Sequence, residues 1–129
     1  MGARPREVTP ERVGVTALSP RSKVWLERDG RVVLSEWRAA LLDGIVETGS
    51  LAGAAARLGV PYRTAWARLR EIEAGLGFKV LDTQTGGAEG GGSTLTPAGL
   101  EVLARFHRVA DGVDALVDAR FRTEFGADA

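Results

Sequence analysis

The strongest constraint on this chain is the order of signals between Thr48 and Thr96. Gly49-Ser50 reads as a helix start and is followed by an alanine-rich run through Ala54 and Ala55 to Leu58. A Gly59-Val60-Pro61 turn comes next, then a longer arginine-bearing run from Tyr62 to Leu76, and then two short β-prone runs around a cluster of glycines. Ser50 carries the hydroxyl that an N-cap uses to satisfy a first-turn N–H. The small side chains after it suit a short helix that crosses its neighbours closely. Pro61 lacks an N–H and has a preset φ, so it is expected at the first position of the longer helix.

The flanking segments extend this pattern. Val24-Trp25-Leu26 and Val32-Val33-Leu34 flank Asp29-Gly30, the dipeptide best suited to a type I′ turn, so Lys23 to Leu34 is predicted to be a β-hairpin. Ser35 can cap a helix whose apolar positions Trp37, Leu41, Leu42, Ile45 and Val46 recur at helical spacing until Gly49. Strands are expected over Lys79 to Thr83 and Ser93 to Thr96, around a loop holding Gly86, Gly87, Gly90, Gly91 and Gly92. Thr96-Pro97 then opens a last helix to about Glu124, with Leu100, Leu103, Phe106, Ala110, Val113, Val117 and Phe121 at spacings of three and four. The predicted fold is mainly α with small β-hairpins: a winged helix-turn-helix with a long C-terminal helix. Residues 1–22, with Pro5, Pro10 and Pro20, are expected to be a flexible tail, and 23–125 one domain with its dimerisation helix at about 97–124.

Laid out at 100° per residue, the third helix places Tyr62, Ala65, Leu69, Ile72 and Leu76 on one side, with Trp66 at its edge. That side is the expected core face. The other side holds Arg63, Thr64, Ala67, Arg70 and Glu71. Residues near the N-terminal end of such a helix are the ones presented to base edges in a major groove. Arg63 can contact guanine with two donors, Thr64 offers a hydroxyl or methyl, and Ala67 leaves room for the groove floor. Arg68 and Arg70 suit phosphates. The candidate DNA-contacting set is Ser50, Pro61, Tyr62, Arg63, Thr64, Ala67, Arg68 and Arg70, with Gly87, Gly90 and Gly91 bringing the wing backbone close to a phosphodiester. The last helix would span about 40 Å at 1.5 Å per residue, more than a small winged domain covers. A homodimer through Leu103, Phe106, Ala110, Val113, Val117 and Phe121 is therefore expected, with two recognition helices on successive turns of a palindromic site.

Composition bounds these readings. A chain of 129 residues can bury one core, and the absence of cysteine excludes disulfides, thiolate metal sites and cysteine nucleophiles. No run approaches the roughly 18 apolar residues of a membrane span, and the N-terminus has no apolar signal core, so a cytoplasmic protein is expected. The balance of 17 basic and 17 acidic residues runs against nucleic-acid binding, which draws on a basic surface. The charge is nevertheless segregated. Arg57, Arg63, Arg68, Arg70 and Lys79 face only Glu71 and Glu73 in the central stretch, whereas Asp111, Asp114, Asp118, Glu124 and Asp128 cluster toward the C-terminus.

Enzymatic readings find little to build on. The glycine loop lacks a Gly-Lys-Ser/Thr ending and dinucleotide spacing, so it is not a nucleotide cradle. His107, the only histidine, has Asp111 one turn later and is expected to make a surface hydrogen bond with it rather than to ligate a metal. No serine has a histidine base nearby, and no motif calls for a cofactor.

Several motifs together carry a family resemblance. They are Trp25-Leu26-Glu27 with Asp29-Gly30, Glu47-Thr48-Gly49-Ser50-Leu51, Ala54-Ala55, Leu58-Gly59-Val60, Tyr62-Arg63, Ala65-Trp66, Glu73, Leu76-Gly77, Gly86-Gly87, Gly90-Gly91-Gly92 and Leu95-Thr96-Pro97-Ala98-Gly99. From about Lys23 to Phe106 the chain resembles the N-terminal domain of ModE-type molybdate-responsive transcriptional regulators, which is related to the LysR-type winged domain. The resemblance implies a dimeric DNA-binding domain with Tyr62 to Arg70 at its recognition surface, the glycine loop as wing, and molybdate-linked target genes. In the family a separate C-terminal module binds molybdate. A chain of this length has no room for it, so a stand-alone form is expected and molybdate sensing is not carried over. The wing also departs from the basic wings of the family, with Glu89 and no Lys or Arg between Val80 and Leu95. Two other readings stay open on these residues: a winged module that binds protein through Trp25 or the acidic last helix, and an oxyanion sensor using glycine-rich backbone amides at a dimer interface.

Overall fold

In a computed structural model of the protein, residues 18–84 and 92–126 are described. Residues 1–17 of the expected tail fall outside these residues, as do Gly86, Gly87, Gly90 and Gly91 of the expected wing. The elements run β1 (Leu26–Arg28), β2 (Arg31–Leu34), α1 (Glu36–Thr48), α2 (Leu51–Leu58), α3 (Tyr62–Leu76), β3 (Leu81–Gln84), β4 (Gly92–Leu95) and α4 (Pro97–Phe125). Strands β1 and β2 pair antiparallel, as do β3 and β4, in two separate two-stranded sheets. This is the predicted mainly α arrangement with small hairpins, a winged helix-turn-helix and a long last helix. The described residues fall into two compact units, 23–109 and 18–22 with 110–126.

Local chemistry explains the boundaries. Asp29 and Gly30 take φ of 53° and 80°, the pair of positive values that a two-residue type I′ turn requires. The Ser35 hydroxyl accepts from the Arg38 N–H at 3.2 Å, and the Ser50 hydroxyl accepts from the Gly53 N–H at 2.8 Å. Helices α1, α2 and α3 each end on a left-handed glycine, at Gly49, Gly59 and Gly77. Pro61 departs from expectation. Its ψ of 149° is extended, so it stands as the N-cap of α3, and the helix begins at Tyr62. The residue itself supplies no side-chain cap, but its carbonyl accepts from the N–H groups of Thr64 and Ala65.

The core of the larger unit is aliphatic. Leu34, Leu41, Leu42, Ile45, Leu51, Leu69, Ile72 and Val80 are fully buried, and Ala54, Ala55 and Ala65 are buried with them. Helices α1 and α2 approach so closely that a Cβ at Gly44 would lie 2.9 Å from the Cβ of Ala54. The β1–β2 hairpin is seated on α3 in the same way, since a Cβ at Gly75 would fall 2.6 Å from a methyl of Val33. The β3–β4 pair is tied down at both ends. Glu73 accepts from the N–H groups of Val80 and Leu81, and Ser93 donates its N–H to the carbonyl of Gly49 in the α1–α2 connection. The Thr96 hydroxyl donates to the Lys79 carbonyl and accepts from the Gly99 N–H, capping α4 as expected.

Two of the residues expected at a dimer interface belong to this core instead. Leu103 and Phe106 are 5% and 3% exposed, because the first turns of α4 complete the core of their own protomer. His107 also departs from expectation: its Nε2 lies 3.0 Å from the Asp43 carboxylate of α1 rather than pairing with Asp111. In the smaller unit, Ala110, Val113, Val117 and Phe121 are half-buried along α4, and Leu116 and Phe125 are exposed. The Phe121 and Phe125 rings stack with centroids 5.0 Å apart, and the Ser22 hydroxyl donates to Asp114. No described helix is long and apolar enough to cross a membrane.

Candidate nucleic-acid interface

Helix α3 is held by its buried side, where Ala65, Leu69 and Ile72 enter the core. That anchoring dictates what faces out. Arg63, Ala67, Arg70 and Ala74 lie within about 60° of one another on a helical projection at 100° per residue, and all four are exposed. The row therefore alternates long cations with methyl groups. A helix of this kind can approach a groove floor at the alanines while the guanidinium groups reach to either side.

The shoulders of the row differ from expectation. Tyr62 was expected in the core but is 55% exposed, and Trp66 is 40% exposed, so one shoulder is aromatic. At the start of α3 the chain has just left the Pro61 turn, and among the described residues the core side of this first turn is not covered deeply enough to bury Tyr62. The Trp66 ring lies under the Arg70 guanidinium at 5.5 Å from its centroid. That contact is worth about 0.5–1 kcal/mol at an exposed site and favours the Arg70 orientation that lies over the ring. On the other shoulder Thr64 and Arg68 are half-buried. Arg68 is bound to Glu71 at 2.8 Å, and Glu71 also takes Arg38 of α1 at 2.7 Å. Leu76, placed on the core face by periodicity, is half-buried.

Among the described residues, Arg63 and Arg70 enter no salt bridge, whereas Arg38, Arg57 and Arg68 each do. The acidic groups nearest α3 are thus committed: Glu71 to two arginines, and Glu73 to two backbone N–H groups of the β3 strand region. Ser50 is committed locally as well, its hydroxyl oxygen capping α2, with the O–H left to donate. The Trp66–Arg70 pairing was legible as an i,i+4 spacing and the Arg68–Glu71 pair as i,i+3. Arg38, 33 residues from Glu71, was not.

Among the described residues no three His, Asp or Glu side chains gather closely enough to hold a metal ion. His107 and Asp43 bridge α4 to α1 at the surface, with 44% and 37% of their side chains exposed. On α4 the Arg105 guanidinium hydrogen-bonds Glu101 and, with the charges of Arg105 and Arg108, holds its carboxyl below the usual carboxylate range.

Comparison with known proteins converges on the same helices. Residues 38–100, spanning α1 to the start of α4, match the bacterial regulatory helix-turn-helix protein, lysR family. The chain is 38% identical over 96 residues to the molybdenum-pterin-binding protein MopB of Rhodobacter capsulatus, an alignment covering 74% of this chain and 35% of that protein. It is 45% identical over 65 residues to the molybdenum transport protein ModE of Herbaspirillum seropedicae, covering 50% and 24%. An uncharacterized HTH-type transcriptional regulator of Mycobacterium bovis is 40% identical over 74 residues, covering 55% and 22%. The matched regions thus span about a third or less of the length of these relatives.

Proposed function

We propose that this chain, whose residues 38–100 match the lysR-family helix-turn-helix, is a sequence-specific DNA-binding transcriptional regulator that reads a palindromic site as a homodimer. The observation that carries the proposal is the outward row Arg63, Ala67, Arg70 and Ala74, anchored by a buried opposite face. Arg63, near the N-terminal end of α3, is assigned to a guanine edge, with Ala67 on the groove floor. Arg70, steadied on Trp66, is assigned to a phosphate or a base edge at the groove wall. Tyr62 and Trp66 offer apolar surface on the shoulder that a thymine methyl can meet.

Dimerisation is assigned to the later part of α4, where Ala110, Val113, Val117 and Phe121 form the half-buried stripe and Leu116 and Phe125 add exposed apolar area. A helix of 29 residues is about 43 Å long at 1.5 Å per residue, so it is long enough to carry both core contacts and an isologous contact. Regulation of molybdenum-linked genes is the part of the proposal supported by the names of MopB and ModE.

The test is selection of bound genomic fragments by wild type and Arg63→Ala in parallel, at two salt concentrations. Enrichment of a short palindrome by wild type that is lost in the variant is the expected result. No enrichment by wild type at low salt would overturn the proposal.

A further inference from the structure

Beside the outward row of α3 lies a groove of about 590 Å³ that the recognition assignment does not use. It is built by three elements. The β1–β2 hairpin contributes Arg28, Asp29 and Arg31, α1 contributes Arg38, and α3 contributes Glu71 and Ala74. Ala74 belongs to the outward row itself, so the groove continues the proposed DNA-facing surface toward the C-terminal end of the helix. We infer that this groove holds a phosphate of the DNA backbone, with Arg31 and Arg28 as its principal ligands; the inference rests on the DNA-binding reading above.

Four features point to an anion. First, three guanidinium groups, two from the hairpin and one from α1, line one concave surface, and backbone phosphates are the partners such forks fit in two-point geometry. Second, cations outnumber the two carboxylates of the lining: Glu71 is bound by Arg38 at 2.7 Å and by Arg68 at 2.8 Å, and Asp29 of the turn stands against both Arg28 and Arg31. Third, Nη1 of Arg38 is buried without a hydrogen-bond partner among the described residues. A buried guanidinium donor left unpaired is unfavourable, and a shift of the Arg38 side chain toward the groove would let it meet a phosphate oxygen there. Fourth, the hairpin is fixed rather than loosely attached. The Arg28 Nε donates to the Gly75 carbonyl at 2.6 Å, and the missing side chain at Gly75 lets Val33 seat against α3. Arg28 and Arg31 are cross-strand neighbours flanking the type I′ turn. The hairpin can therefore present both cations without paying for ordering a loop.

The placement is consistent with B-DNA. Arg63 and Ala74 are eleven residues apart, about 16 Å along the helix, while the major groove is about 12 Å wide. A helix that contacts base edges with its first turns brings its last turn to the groove wall. The groove at Ala74 would then meet the phosphates that border the bases read by Arg63.

Arg31 is the residue to test, since it is exposed and makes no hydrogen bond with other described side chains. Wild type, Arg31→Ala and Arg31→Lys are titrated by fluorescence anisotropy into a random-sequence duplex and into the fragment selected by wild type, from 50 to 300 mM salt. Losing one phosphate contact removes about 0.9 from the slope of log K against log salt, which is roughly eightfold in affinity at 0.1 M. The expected result is that loss in Arg31→Ala on both duplexes alike, with Arg31→Lys retaining most of the slope. An unchanged slope in Arg31→Ala, while wild type binds DNA, overturns this inference and leaves the regulator reading standing. Absence of any salt-dependent binding by wild type overturns both.

Discussion

The α1–α2 crossing is the joint on which presentation of α3 depends, and Gly44→Ala tests it. Two effects oppose each other at this position. Replacing a mid-helix glycine by alanine favours the helix by about 0.8–1.0 kcal/mol. Against this, the new methyl would sit 2.9 Å from the Ala54 Cβ and 3.1 Å from its Cα. Neither atom belongs to a flexible side chain, so relief requires the two helices to part by most of an ångström. The separation would open the packing of Leu41, Leu42, Ile45, Leu51 and Ala55, all of them buried. Overpacking of this kind costs about 1–3 kcal/mol, and contact with backbone places Gly44 toward the upper end. The expected net loss is about 1–2 kcal/mol, or roughly 5–15 °C in Tm for a domain of this size. Urea and thermal unfolding by circular dichroism read it directly. Ala54→Gly in the same background removes the nearer of the two contacts, so the double variant should recover part of the loss, a favourable coupling in the mutant cycle. A Gly44→Ala protein with unchanged or raised Tm would refute the reasoning, since helix propensity alone would then decide the outcome.

Two further outcomes follow from α4. Val113→Glu with Val117→Glu places charges on the half-buried stripe of the smaller unit; sedimentation should shift from dimer to monomer and operator affinity should fall by more than tenfold, while the circular dichroism of the helix-turn-helix persists. Equal sedimentation of wild type and variant would remove α4 from the interface. Glu101→Gln tests the pair with Arg105, which lowers the carboxyl below its ordinary value of 4.5. A depressed folded value means the contribution is present above pH 4.5 and fades as pH falls through that lowered value, so the variant should melt below wild type at pH 7 and coincide with it in strong acid.

The backbone plan was readable because each boundary rests on a local device. Ser35, Ser50 and Thr96 cap the helices that follow them, and Asp29-Gly30 turns the hairpin with positive φ at both positions. These are interactions within four residues of chain, so they appear in the sequence as spacing. Pro61 was legible as a helix boundary but not as the N-cap it became, because proline presets φ and leaves ψ to its surroundings. The core side of α3 was partly legible. Ala65, Leu69 and Ile72 are buried as periodicity required, yet Tyr62 lies in the same angular sector and is exposed. Periodicity gives the direction of a side chain, whereas burial also needs an element opposite it. Leu103 and Phe106 show the converse, since a stripe at spacings of three and four says that a helix has a partner without saying whether it is the protomer's own core or a second copy.

Charge shows where sequence reading stops for physical reasons. A formal net charge of zero counts all 17 cations and 17 anions as equals. Within about 5 Å, however, the field at a surface is set by which charges are already paired. Glu71 reads in the sequence as an acidic blot on the recognition helix. In the fold it is shared by Arg38 and Arg68, so this cluster of three side chains carries a net positive charge. The same pairing engages one nitrogen of Arg68, whereas Arg63 and Arg70 have no carboxylate partner among the described residues. A basic face can therefore arise on a neutral chain by internal pairing of its anions. Arg68→Ala should then weaken binding less than Arg63→Ala does, and Glu71→Gln should strengthen non-specific binding, both measured on the same random-sequence duplex. If Arg68→Ala proved the more damaging of the two, the half-buried shoulder of α3, and not its outward row, would be the surface that meets DNA.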